Sequence, residues 1–435
     1  MRSTAEGRTR RCRSAPIIAV LCAVMVGAVL TACSSTKAAS TDTSSPSKSA
    51  IPASAFTDHT GITPTSVTVA TVSWQTIFKS AIGVQAYADY VNSQGGVNGR
   101  RLVVASSDDG NSGATNKQLT QSAINSDFAT VGSFSLQDGF GGTVLAKDPG
   151  VPNVSPTLDP TTSRLANSFS AAPSAGGWQL GPLAYFKSKF PNDVTHAGAL
   201  VADIQPAPTL FAGEKAAMDH LGYHLAYDAT FDVSQQDFNQ NVIAMRNDGV
   251  KILFIEQMPQ NYAGAVLKAL DQQNFHPVVV LGASTYSEDL VASSGGASNI
   301  DGSYLEQNAA LYLGEDASSI PAVGTFLTWI QRAQPGFKAD LYSFYGWLNA
   351  ELFVQALRSA GSNPSRGSVL QALRGITSFS GGNLNGVSDP AHKAPSNCYI
   401  IGHIENGQFQ RLDDPPVDGP THGYRCDQPY YYLPS

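Results

Sequence analysis

From residue 66 to residue 281 the chain alternates short β-branched or apolar runs with longer amphipathic segments, a pattern that admits little besides βαβ units feeding parallel sheets. Residues 67–71 read as a first strand. Ile77, Ala81, Val84, Ala88 and Val91 then recur at helical spacing, placing one apolar stripe on a helix that Gly95-Gly96 ends. The alternation continues through strand 102–105, helix 116–124, strand 130–134 and the segment 151–155. A glycine-containing stretch at 174–177 precedes a second series: helix 178–189, strand 197–202, helix 212–220, strand 225–231, helix 237–247, strand 252–256, helix 263–273 and strand 278–281. Beyond Gly302 come helical patterns at 323–331, 344–360 and 368–373, then a strand pair at 399–404 and 408–412. Two such series in 435 residues exceed one ordinary core, so the expected class is α/β, with two doubly wound parallel-sheet lobes.

The N-terminal residues follow other rules. Residues 17–30 are uncharged and are preceded by Arg8, Arg10, Arg11 and Arg13. A permanent membrane helix needs roughly 20 apolar residues, so this run fits the core of a signal peptide instead. Leu30-Thr31-Ala32-Cys33 resembles the cleavage site of a bacterial lipoprotein. That resemblance implies removal of residues 1–32, acylation of Cys33 and a tether to the membrane outside the cytoplasm. Residues 34–50 are almost wholly Ser, Thr, Ala, Lys and Asp, so 33–60 reads as a flexible spacer. Losing five arginines and Glu6 with the signal leaves 22 basic against 33 acidic residues, a net charge of −11, so no nucleic-acid partner is expected. Cys12 and Cys22 leave as well. With Cys33 acylated, Cys398 and Cys426 remain as thiols and should pair, stapling the Pro- and Gly-rich stretch 411–424.

Several segments, read in order, resemble the type I periplasmic binding proteins that serve branched-chain amino acid transporters. Val91-Asn92-Ser93-Gln94-Gly95-Gly96-Val97-Asn98-Gly99-Arg100 is the most specific, followed by the acidic pair Asp108-Asp109. Gly132-Ser133-Phe134-Ser135, Val151-Pro152-Asn153-Val154-Ser155-Pro156 and Asp237-Phe238 with the run to Phe254 continue the likeness, which covers most of 65–412. The resemblance implies two lobes joined by hinge strands, with residues 61–177 and about 305–360 in lobe 1 and 178–304 and about 361–435 in lobe 2. It also implies a small solute in the cleft, a monomer, and an ABC permease as partner.

In open parallel sheets ligands sit beyond the carboxyl ends of the strands, among free backbone amides and helix N-termini. The loops there are 73–79, 108–113, 133–142, 155–161, 203–210, 257–262 and 282–288. Trp74 and Phe78 could stack on a planar or apolar ligand, or pack internally. Ser135, Gln137, Ser155 and Thr157 could hydrogen-bond an amide or carboxylate, or cap the helices that follow. The departures from the family bear on the ligand. Leu136 stands where a serine usually meets an amino acid carboxylate, and Asp159 where a threonine faces the α-amino group. Asp159 could meet an amine or hydroxyls, or cap a turn before Pro160. Gln205 lies where a tyrosine is missing, and Ala283 or Ser284 replaces an expected glutamate. Gln257, Met258 and Tyr286 complete the candidates of the second lobe.

Catalysis has no evident seat. The chain lacks G-x-S-x-G, G-x-x-x-x-G-K-[ST] and H-E-x-x-H, and Gly139-Phe140-Gly141-Gly142 lacks the third glycine of a dinucleotide fingerprint. His220 and His224 are separated by Gly222, which should end their helix and turn them apart. No cofactor or metal is expected. The leading expectation is a tethered receptor for a small polar, nitrogenous or aromatic solute, delivered to an ABC importer. A sensory module on the same fold and a surface-tethered hydrolase are the alternatives.

Overall fold

The computed structural model describes residues 50–433, so the expected signal, Cys33 and most of the spacer lie outside the described residues. Lys48–Ser435 group as one compact unit by their contacts.

The chain first lays down β1 (Ser66–Ser73), α1 (Ser80–Ser93), β2 (Arg101–Asp108), α2 (Gly113–Ser126), β3 (Ala129–Val131), α3 (Asp138–Leu145), β4 (Asn153–Val154), α4 (Pro160–Arg164) and β5 (Ser168–Phe169). These strands form an all-parallel sheet in the order β2-β1-β3-β4-β5. β1 is buried from Val69 onward on both faces, which is why it reads as a nearly continuous apolar run. Ser112 starts α2 by accepting from the Thr115 amide, the N-cap its hydroxyl suits.

Next come β6 (Gly177–Gln179), α5 (Leu180–Lys189), β7 (Ala197–Ala202), α6 (Ala207–Leu221), β8 (Leu225–Phe231), α7 (Asn239–Asn247), β9 (Ile252–Ile255), α8 (Gln260–Gln272), β10 (Val278–Leu281), α9 (Asp289–Ser293) and β11 (Tyr304–Gln307). α6 ends at Gly222, whose φ of 79° is the left-handed cap that glycine adopts without a steric penalty. Three helices follow: α10 (Pro321–Ala333), α11 (Leu341–Ser359) and α12 (Arg366–Leu373). The chain closes with β12 (Ile400–Glu405), β13 (Gln408–Arg411) and β14 (Tyr430–Tyr432). The second sheet runs β13-β12-β11-β10-β9-β7-β8, with β12 alone antiparallel to its neighbours.

α10 and α11 return to the first sheet and pack on α1. α12 goes with them. Arg366 is 4% exposed and donates to the carbonyls of Ile124, Asp127 and Phe128 and to the Asp58 carboxylate. The expectation assigned residues 361 onward to lobe 2; the buried guanidinium instead holds 366–373 on lobe 1.

Three segments cross between the sheets: 170–176 after β5, 308–320 after β11, and 374–399 before β12. The first two leave the carboxyl ends of parallel strands, and the third enters β12 beside the carboxyl end of its antiparallel partner β11. Both sheets therefore turn those ends toward the crossings. The segments are laced together: Gly386 N donates to Asn308 O, Ala310 N to Leu384 O, and Ser388 Oγ to Ala171 O. Cys398 and Cys426 form a disulfide, and the tail beyond it returns to pair β14 with β6.

Candidate functional site

On lobe 1 the turns after β1 and β3 meet the start of α11. Phe78 is 6% exposed, its ring 4.8 Å from Phe134 and 4.6 Å from Tyr342, with Trp74 edge-on at 5.8 Å. Tyr345 stacks on Phe134 at 6.4 Å. The capping box of Asp340 and Ser343 sets the first turn of α11 and so aims Tyr342 and Tyr345 at this cluster. Neither tyrosine hydroxyl has a hydrogen-bond partner among the described residues, and burial pushes the Tyr345 hydroxyl up to about 12. Tyr342 and Tyr345 were missed because their helix reads as a core helix; only their place at its first turn marks them.

The polar candidates of lobe 1 divide. Ser135 accepts from Gln137 N at 3.0 Å, and the Gln137 amide donates to Asn111 at 3.2 Å, both local turn contacts. Ser155 accepts from Ser133 N at 3.1 Å and ties two turns together. Asp159 is engaged as the cap of α4, accepting from Thr162 N at 2.7 Å and its hydroxyl at 2.8 Å. It is therefore a helix cap rather than a carboxylate waiting for an amine. Asp138 accepts from Leu158 N and Asp159 N, and burial pushes its carboxyl up to about 6. Asp108 and Asp109 likewise cap turns, through Gly110 N and Asn111 N. Leu136 and Thr157 remain half-buried at the rim, and the Thr157 hydroxyl makes no hydrogen bond among the described residues.

On lobe 2, two candidates belong to the core. Met258 is 1% exposed. Tyr286 is also 1% exposed; its hydroxyl donates to Glu315 at 2.7 Å and accepts from Leu313 N, with Tyr312 and Phe409 against its ring. Ser284 donates to Met258 O at 3.0 Å. Gln205 is exposed before α6. Gln257 has φ 52° at the end of β9, a left-handed backbone uncommon outside glycine and of the kind that gathers at functional turns. Gln307, at the end of β11, is 2% exposed with both amide atoms unpartnered; β11 carried no sequence signal strong enough to reveal it. A cavity of about 360 Å³ on this lobe lies at the other ends of the strands, between Phe190, Val278 and Tyr304, remote from the crossings.

Residues 73–408 match the sequence family described as periplasmic binding protein. No match is found among curated proteins. The fold is shared with the branched-chain amino acid binding protein LivJ of Streptococcus pneumoniae, solved with isoleucine. The two are 17% identical, cover 79% of this chain and 98% of that one, and give a TM-score of 0.65. A fatty acid ABC transporter substrate-binding protein of Thermomonospora curvata is 15% identical over 86% and 95% of the two chains, at 0.66. A solute-binding protein of R. palustris, solved with 4-hydroxybenzoate, is 14% identical over 84% and 98%, at 0.67. At these identities the likeness shows the fold.

Proposed function

The chain belongs to the periplasmic binding protein family, and on that premise we propose that it captures a small organic solute between its lobes and delivers it unchanged to an ABC importer. Acylated Cys33 would hold it at the outer face of the cell membrane. The observation that carries this reading is the aromatic wall of Trp74, Phe78, Phe134, Tyr342 and Tyr345 beside the strand ends where the three crossings meet. It offers flat apolar surface edged by unpartnered hydroxyls, the make-up of a small-molecule site. A ligand that touches both lobes only when they approach shifts the population toward a closed form. The relatives named above bind isoleucine, a fatty acid and 4-hydroxybenzoate, each with an apolar body, which fits such a wall.

The test is thermal denaturation of residues 48–435 against amines, amino acids, aromatic acids, fatty acids, nucleosides and sugars. A solute at 100 times its Kd adds about 2.7 kcal/mol. One chemical class should raise Tm and be recovered intact; a recovered product would mark an enzyme.

A further inference from the structure

β9, β10 and β11 run abreast, Ile255 beside Leu281 and Leu281 beside Leu305. The next residues, Glu256, Gly282 and Glu306, therefore form a row across the carboxyl ends of the strands. They share the face of Phe254 and Val280, which α5 and α6 cover through Leu183, Phe186, Ala217 and Met218. Gly282 has no side chain, and the Glu256 carboxyl takes that room: a Cβ there would stand 1.8 Å from Glu256 Oε2. Glu214 comes down from α6, and the three carboxyls act on one another. The turn bearing Glu214 lies on the hinge side, because its neighbour Gly213 stands against Gly177, where the first crossing enters the lobe.

Glu214, Glu256 and Glu306 are 0%, 2% and 7% exposed. Both oxygens of Glu214, Oε1 of Glu256 and Oε2 of Glu306 have no hydrogen-bond partner among the described residues. No lysine, arginine or histidine among the described residues acts on the three carboxyls. Three ionised carboxylates so enclosed would repel each other in a poor solvent for charge, so the cluster holds either protons or a cation. No group of three acidic, His or Cys side chains among the described residues is disposed to hold a metal ion. An ammonium group brings three N–H donors to oxygens that lack them.

The rim has the matching sign. Its seven loops carry one base, Lys79, against Asp108, Asp109, Asp138, Asp159 and Asp203, and no arginine, while Glu288 is paired with Lys338. Lys79 already donates to Gln75 O at 2.6 Å. Leu136, which can neither donate nor accept, stands where the resemblance would have a carboxylate met.

We propose that the solute is an organic amine without a carboxylate, its cationic nitrogen among Glu214, Glu256 and Glu306 and its apolar body on the aromatic wall of lobe 1. This deepens the solute-receptor reading and rests on it. The amine displaces protons from the carboxyls as it enters, so binding releases protons.

The experiment is calorimetric titration of residues 48–435 at pH 7 in two buffers of different ionisation enthalpy. The probes are phenethylamine, tyramine and spermidine, set against phenylacetate, isoleucine and 4-hydroxybenzoate. At least one amine should bind with proton release, and Glu256→Gln and Glu306→Gln should each weaken it at least tenfold while the free proteins melt no lower. Variants that melt higher yet bind the amine as before would make the cluster purely structural and overturn the proposal. Binding of a carboxylate probe and of no amine would overturn it while leaving the solute receptor standing. If no probe binds here and the broad thermal panel is also silent, both fall together.

Discussion

Glu306 shows how a single buried group sets the response of the protein to pH. Burial pushes its carboxyl from the ordinary 4.5 up to about 8, so the folded chain holds this proton more tightly than the unfolded one. The stability it contributes is complete below about pH 4.5 and is lost as pH rises through about 8. Glu214 and Glu256 are raised in the same direction by burial and by their neighbours. Glu351 is raised to about 7 and Asp414 to about 6, both chiefly by burial. The free energy of urea unfolding should therefore fall across that window, and Glu306→Gln should flatten the fall. Arg366 is the opposite case, a buried charge fully engaged by three carbonyls and a carboxylate. Arg366→Met strips those partners and should cost about 3–5 kcal/mol, read as a drop in the urea midpoint at constant slope. None of this was legible in the sequence, because a glutamate in a strand pattern looks the same whether its neighbours bury it or water does.

At the scale of elements, α1 and α11 pack backbone to backbone. A Cβ on Gly83 would stand 1.8 Å from Ser343 O, and one on Gly346 would stand 2.0 Å from Ser80 O. Gly83→Ala or Gly346→Ala must push the helices apart, which should cost about 1–3 kcal/mol, measured by thermal melting. Because Tyr342 and Tyr345 sit on the same helix, either change should also weaken solute binding. The tail is held differently: the disulfide closes a 28-residue span whose regular structure is the hairpin of β12 and β13, leaving 412–425 without any. Reducing it should cost about 3–4 kcal/mol, with faster amide exchange at Tyr430–Tyr432, the strand paired to the entry of lobe 2. Strands 197–202, 225–231 and 278–281 were read to the residue: the first and last are apolar runs buried nearly throughout, and 225–231 is a β-prone run that starts just after the glycine ending α6. β11 escaped because Tyr304–Gln307 puts two polar residues into a four-residue strand, where no period can be recognised. With it went Glu306 and Gln307.

At the scale of the molecule, the order of strands and helices carried the two-lobe architecture, and a family likeness over residues 73–408 agrees with it. The site was less legible. Position relative to strand ends singles out seven loops, yet within them Ser135, Ser155 and Asp159 are occupied by their own turns and caps, while Met258 and Tyr286 are core. Local hydrogen bonds compete for the same short polar side chains that a ligand would use, and a sequence does not show which claim succeeds. Three laced crossings join the lobes, and the proposed capture works by closure about them. The most direct measurement is the radius of gyration of residues 48–435 by X-ray scattering, followed during titration with the solute that raises Tm. Capture by closure predicts a radius that falls along the binding isotherm and levels at saturation, with the solute recovered unchanged. A radius that stays constant at saturation, or a product in the recovered solution, would contradict it.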